Sequence, residues 1–171
     1  MNTFRLQQFR ITCHGISGGR INNPQNILEF EHLIQTHNPH FVVVHLGGND
    51  LDQKNNTWED VEEIFLRWIN ILHLFYRRYS VKIAVSQLLF RERTRHIYPV
   101  LYNNFVLIAN RLLKLELAKL DKITYWNLKG LKDNHQDICW DGVHLNWRSG
   151  YSKYYKIFAG QSLTSANLKI S

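Results

Sequence analysis

Apolar residues follow two alternating rhythms along this chain. Four runs, Phe9 to Cys13, Phe41 to Leu46, Val81 to Leu88 and the short Lys122 to Trp126, read as strands. The run Phe41-Val42-Val43-Val44-His45-Leu46 is continuous and rich in β-branched residues, as a strand covered on both faces requires. Between these runs the apolar positions recur at helical spacing. Asn23-Pro24 supplies an N-cap and a proline at the first helical position; Ile27, Phe30, Leu33, Ile34 and His37 follow, and Asn38-Pro39 ends the helix. A second helix is predicted from about Trp58, with Trp58, Val61, Ile64, Phe65, Trp68, Ile69, Leu72 and Phe75 forming a wide apolar stripe. A third spans about Tyr98 to Ala118, with Leu101, Phe105, Ile108, Leu112 and Leu115 on one face. The last, about Trp147 to Ala159, carries Tyr151, Tyr154, Tyr155 and Phe158. Such stripes are core-facing surfaces before they are cofactor sites. Residues 161–171 read as a loose tail.

Strands that alternate with helices imply an α/β architecture, a mostly parallel sheet with helices on both faces. The chain length of 171 residues suits one such domain, here 1–160, and 44% hydrophobic with 20% charged residues is globular composition. A net charge of +7 permits attraction to nucleic acid or an anionic surface. The basic residues are nevertheless dispersed. Their densest group, Arg91, Arg93 and Arg95, with Arg77 and Arg78 earlier, reads as solvated charge on loops and helix ends, and a nucleic-acid partner stays as the weaker alternative. The two cysteines, Cys13 and Cys139, read as reduced thiols. No window approaches a membrane span and the first residues lack a secretory apolar stretch, so the default expectation is a soluble cytoplasmic protein.

In parallel sheets ligands gather outside the carboxyl ends of the strands, and that is where the polar motifs of this chain lie. After the first strand comes Gly15-Ile16-Ser17-Gly18-Gly19, a loop whose backbone N–H groups can approach a ligand closely. After the second comes Gly47-Gly48-Asn49-Asp50, where an asparagine amide can donate to an oxygen that gains negative charge. Asp141-Gly142-Val143-His144 stands near the C-terminus. Its spacing lets the carboxylate hold one imidazole nitrogen and leave the other as a base. Taken singly, each motif is also an ordinary turn.

Together, in this order and at these strand ends, they resemble the SGNH (GDSL-like) hydrolase family of esterases, lipases, thioesterases and acetyl-ester hydrolases, over about Phe9 to Gly160. The resemblance implies a flavodoxin-like three-layer α/β/α fold. It also implies ester hydrolysis through a serine acyl-enzyme, with no cofactor and no metal, on an ester-bearing small molecule or an acylated or acetylated glycan. By the same resemblance Gly18 is the backbone oxyanion donor, Asn49 the side-chain donor, His144 the base and Asp141 its orienter. Tyr102-Asn103 and Asn110 match asparagines that related domains carry on the third helix.

One family block has no counterpart. The nucleophilic serine of the family sits in a Gly-Asp-Ser turn after a first, central strand, ahead of the glycine loop. Only 17 residues precede Gly18 and no Gly-Asp-Ser occurs in the chain. Two expectations follow. The 171 residues should be inactive as an esterase, or serve as a non-catalytic ligand-binding or nucleic-acid-associated module derived from one. The sheet should also lack its central strand and be unstable alone, unless residues 1–8 fill the gap or the sheet closes up, since an unsatisfied buried backbone group costs roughly 1 to 3 kcal/mol. Ser17 lies where the family uses backbone and is a poor substitute nucleophile. Cys139, two residues before Asp141, and a loose His135, Cys139, His144 grouping read more simply as a loop thiol and surface histidines. His14, beside the glycine loop, either lines the cleft or is merely exposed.

Overall fold

The computed structural model describes residues 2–6, 9–128, 131, 141–146, 149, 150, 152–154 and 156. In chain order the elements are β1 (Asn2–Leu6), β2 (Phe9–Cys13), α1 (Pro24–His37), β3 (Phe41–Val44), α2 (Gly48–Leu51), α3 (Trp58–Tyr79), β4 (Lys82–Ser86), α4 (Pro99–Leu117) and β5 (Ile123–Trp126). Strands β3, β4 and β5 form a parallel sheet in that order, the α/β arrangement that the alternating pattern implies. The last predicted helix, 147–159, falls largely outside the described residues, and the tail from 161 onward falls wholly outside them.

Local chemistry sets the helix ends. Asn23 caps α1 by accepting from the N–H of Gln25, with Pro24 following, and Asn38 ends it in the left-handed region. At α3 the Thr57 hydroxyl accepts from the N–H of Asp60 while the Asp60 carboxylate accepts from the N–H of Thr57, a reciprocal capping box. The predicted α3 stripe from Val61 to Phe75 is buried throughout; Trp58, at its start, is partly exposed and meets Phe105 edge-on at 4.7 Å. Helix α3 packs on α4, and both lie against β5.

Three expectations need correction. The buried face of α4 is Tyr102, Phe105, Val106, Ala109, Leu113 and Leu117, whereas Ile108 and Leu115 are 38% and 55% exposed. This helix is apolar nearly all round, so periodicity alone does not select a face; the side-chain bonds of Asn103 and Asn110 to the loop after β4 fix its rotation.

The strand Phe9–Cys13 does not join the parallel sheet. It pairs antiparallel with β1, Leu6 opposite Phe9 and Phe4 opposite Ile11. Both segments alternate polar and apolar residues, and only two residues separate them, a connection that permits antiparallel neighbours and forbids parallel ones. Residues 2–6 therefore do not fill a gap beside β3.

The run at β3, read as covered on both faces, is half-buried at Phe41, Val42 and Val43, and among the described residues β3 pairs with β4 alone. The fully enclosed strand is β4, where Ile83, Ala84, Val85 and Ser86 are all buried. Among the described residues no helix is long and apolar enough to cross a membrane.

Candidate functional site

The loop after β2 turns at Gly18, whose φ of +63° favours glycine, and the N–H of Gly19 closes the turn on Ile16 O at 3.0 Å. The Gly18 N–H has no acceptor among the described residues. The chain then enters the core at Ile21, where Asp50 anchors it. The Asp50 carboxylate, 1% exposed, accepts from the N–H groups of Ile21 and Asn22, each at 2.8 Å. Burial raises the Asp50 pKa; those two N–H groups and the charge of Arg20 oppose the rise. Beside it, Asn49 Nδ2 donates to Gly19 O at 3.2 Å. The loops after β2 and β3, distant in sequence, are thus fastened by consecutive residues of α2. Gly47 makes this turn possible: its φ is +117°, and a Cβ there would lie 2.7 Å from the Phe65 ring.

The segment after β4 supplies the third wall. Asn110 brackets Leu88 and Asn103 brackets Arg91, each accepting from the backbone N–H and donating to the carbonyl of the same residue. Arg91 then points inward. Its Nη2 donates to Asn49 Oδ1 at 2.9 Å, Nη1 lies 3.5 Å from Asp52 Oδ2, and the guanidinium sits 5.0 Å over the Tyr102 ring. Asp52 also accepts from the N–H groups of Arg95 and His96 at 2.9 and 3.0 Å. The reading of Arg91 as solvated charge is therefore corrected. Its side chain is only 14% exposed, because Asp52 and the tyrosine face compensate its burial, while Arg93 and Arg95 are exposed.

Asp141 and His144 come together as their spacing suggests. Asp141 Oδ2 lies 2.7 Å from His144 Nδ1, and Asp141 Oδ1 accepts from the N–H groups of Val143 and His144 at 2.9 and 3.0 Å. The His144 contact, then these two N–H groups, hold the Asp141 carboxyl down at about 2. Such a pair can fix the imidazole with its proton on Nδ1 and leave Nε2 free to accept one. The loop is hung from the same segment that carries Arg91: Gly142 O accepts from the N–H groups of Glu92 and Arg93 at 2.9 and 3.2 Å. Gly142 has φ +69°, and a Cβ there would meet Arg93 Cγ at 2.7 Å.

The four candidates are linked in series: the Gly18 turn is tied to Asn49 of α2 through Gly19, Asn49 to Arg91, and the Asp141–His144 loop to Glu92 and Arg93 through Gly142. A cleft of about 500 Å³ opens on the Arg20 side of Gly18, lined also by Asn22, Gln53 and Asn56; among the described residues that line it, Gly18 is the one candidate, and Asn49, Asp141 and His144 are not in it. Ser17 is exposed in the glycine turn, and His14 is exposed with its ring 4.8 Å from that of His37. His135 and Cys139 lie outside the described residues, among which no cluster of metal-ligating side chains occurs. Sequence reasoning missed the anchoring role of Asp50 and the inward turn of Arg91. Asp50 and Asp52, two acids flanking Leu51 shortly after the apolar run that ends at Leu46, were the available signal.

A parallel sheet flanked by helices, with polar segments after β3 and β4 tied together, defines an α/β domain. Residues 7–156 match the GDSL-like lipase/acylhydrolase family, and the chain belongs to it. Solved structures agree at the level of fold. A GDSL-like lipase from Bacteroides thetaiotaomicron is 20% identical with a TM-score of 0.68, covering 90% of this chain and 75% of its own. A family 3 carbohydrate esterase from Clostridium thermocellum is 22% identical with a TM-score of 0.57 over 84% of this chain. A carbohydrate esterase of family 3 from Talaromyces cellulolyticus is 15% identical with a TM-score of 0.60, covering 90% of this chain and 70% of its own. The chain spans 64% of the length of the Clostridium enzyme. No protein with a curated description matches it in sequence.

Proposed function

We propose that these residues form the oxyanion-binding and base parts of a centre that hydrolyses acyl or acetyl esters. The observation that carries this reading is the Asp141–His144 pair at 2.7 Å, hung from the same segment whose Arg91 grips Asn49. In this mechanism His144 Nε2 takes the proton of the attacking hydroxyl, and Asp141 stabilises the imidazolium that results. Asn49 Nδ2 and the Gly18 N–H donate to the oxygen of the tetrahedral intermediate. The likeness to two carbohydrate esterases favours an ester-bearing glycan as substrate.

The family nucleophile is the serine of Gly-Asp-Ser, and the 171 residues contain no such triplet. These residues by themselves therefore turn over no ester at an enzymatic rate; their remaining capacity is to hold the acyl group. Incubating the 171-residue protein with p-nitrophenyl acetate and with an acetylated xylo-oligosaccharide tests this. The expected result is no turnover sensitive to a serine-directed fluorophosphonate, and robust, fluorophosphonate-sensitive hydrolysis overturns it. The catalytic roles have their own test. Sequencing the transcript through its 5′ end shows whether an in-frame strand ending in Gly-Asp-Ser is encoded. In a product that includes one, Asn49→Ala is expected to lower kcat by about 10² to 10³-fold. A change under tenfold removes Asn49 from the oxyanion site.

The absent triplet also favours a second reading, a non-catalytic module that keeps the cleft. It predicts saturable binding of the acetylated oligosaccharide that weakens in Asn49→Ala and His144→Ala, without turnover.

A further inference from the structure

We infer that Arg91 is a positioning residue that sets which end of the Asn49 amide faces the glycine loop; its bearing on catalysis rests on the oxyanion role proposed for Asn49. An asparagine amide has two ends of nearly equal shape and opposite function, one an acceptor and the other a double donor. Only the donor end stabilises an oxyanion. The chain must therefore exclude the flipped state, and two contacts do so from opposite sides.

A guanidinium carries donors and no acceptor, so the Asn49 atom 2.9 Å from Arg91 Nη2 must be the carbonyl oxygen. Reversal would set an NH2 group against a cation. On the other side Nδ2 meets Gly19 O at 3.2 Å, and reversal would oppose two carbonyl oxygens. One Nδ2 hydrogen is spent on Gly19; the second has no acceptor among the described residues and remains for a ligand. The positive charge beside Oδ1 also polarises the amide, which strengthens Nδ2 as a donor.

Arg91 can impose this orientation because contacts hold it at its backbone, its guanidinium edge and its guanidinium face. Asn103 holds its backbone N–H and carbonyl at 2.9 and 3.1 Å, Asp52 lies 3.5 Å from Nη1, and the Tyr102 ring lies beneath the guanidinium. The planar fork reaches Asn49 and Asp52 at once while stacked on an aromatic face. A lysine ammonium matches none of that geometry beyond a single donor. Gly48 leaves the space: a Cβ there would lie 3.1 Å from Arg91 Nη2 and 3.2 Å from the Tyr102 hydroxyl.

The test reads the amide itself by 15N–1H NMR of the 171-residue protein, with the Asn49 Hδ2 pair identified by its loss in Asn49→Ala. In the unmodified protein the pair is expected at shifts away from those of a free asparagine and protected from exchange. In Arg91→Met both features are lost, and Arg91→Lys, which restores one donor, recovers them in part. An Asn49 pair unchanged in Arg91→Met overturns the inference. If that variant does not fold, the reciprocal measurement decides. Arg91 Hη signals slowed by the Asn49 and Asp52 contacts are expected in the unmodified protein and altered in Asn49→Ala, and identical Hη signals in both proteins overturn the inference. Neither readout depends on ester turnover, so fluorophosphonate-sensitive hydrolysis by the 171 residues, or a kcat little changed by Asn49→Ala in a product that includes Gly-Asp-Ser, counts against the proposed function and leaves this geometry standing, and the converse also holds.

Discussion

The two halves of this site are built by opposite means. The half that carries Gly18 and Asn49 is bolted to the core: Asp50 is buried and charge-bonded to the incoming backbone, and Arg91 grips Asn49 from the other side. The half that carries Asp141 and His144 is more open, with the His144 side chain 72% exposed; the Gly142 carbonyl ties it to Glu92 and Arg93, and Asp141 holds His144. For the oxyanion role proposed for Gly18 and Asn49, donors that point at a charge only as it develops gain from a rigid mount. For the base role proposed for His144, the Asp141 contact fixes the tautomer without burial. Titration of the two aspartates has opposite sign accordingly. Asp50 is raised, so the fold binds its proton more tightly than the unfolded chain does, and its contribution to stability falls as pH rises through its titration. Asp141 is depressed, so its contribution is complete above about 4, the ordinary carboxylate value, and is lost as pH falls through about 2.

The largest expected effect lies in the buried half. Asp50→Ala orphans the N–H groups of Ile21 and Asn22 and is expected to cost roughly 3 kcal/mol by urea denaturation. A loss below about 1 kcal/mol would show that the glycine loop is held by something else. Gly142→Ala should come next, at about 1 to 2 kcal/mol, because a side chain at φ +69° is strained and meets Arg93. Its signature is local: Asp141 regains an ordinary titration while the buried half is undisturbed, and a variant in which Asp141 still titrates near 2 refutes the carbonyl anchor. His144→Ala is the smallest, within about 0.5 kcal/mol of the unmodified protein, as for a surface change. It should nonetheless move the Asp141 titration upward, since the His144 contact is the first cause of its depression. Following the Asp141 Cγ shift with pH by NMR checks this, and a midpoint that stays near 2 breaks the pairing.

Legibility in the sequence followed the same division. The Asp141–His144 pair is a local contact across three residues, which its spacing permitted and the order of the motifs along the chain singled out. The cap of α1 was legible in the same way, its side chain satisfying a backbone group two residues on, whereas the Thr57–Asp60 box of α3 was not read from the sequence. The role of Arg91 was not legible, because its partners Asn49 and Asp52 lie about 40 residues upstream and a charged triplet on a loop is ordinarily solvated. The face of α4 was illegible for a related reason: its apolar residues spread beyond one stripe, and two asparagines bonded to a distant loop select which of them turn inward.

By itself, then, the sequence determined the order and kind of most elements, the strand-end placement of the motifs and the local pairs, because periodicity, capping and short-range hydrogen bonds act within a few residues. Only the tertiary structure decided that β2 leaves the parallel sheet for a hairpin with β1, that β4 rather than β3 is the enclosed strand, that Asp50 is a buried anchor and that Arg91 turns inward. Each of these depends on which distant groups are available to satisfy a strand edge or a buried charge, and a linear pattern does not record that.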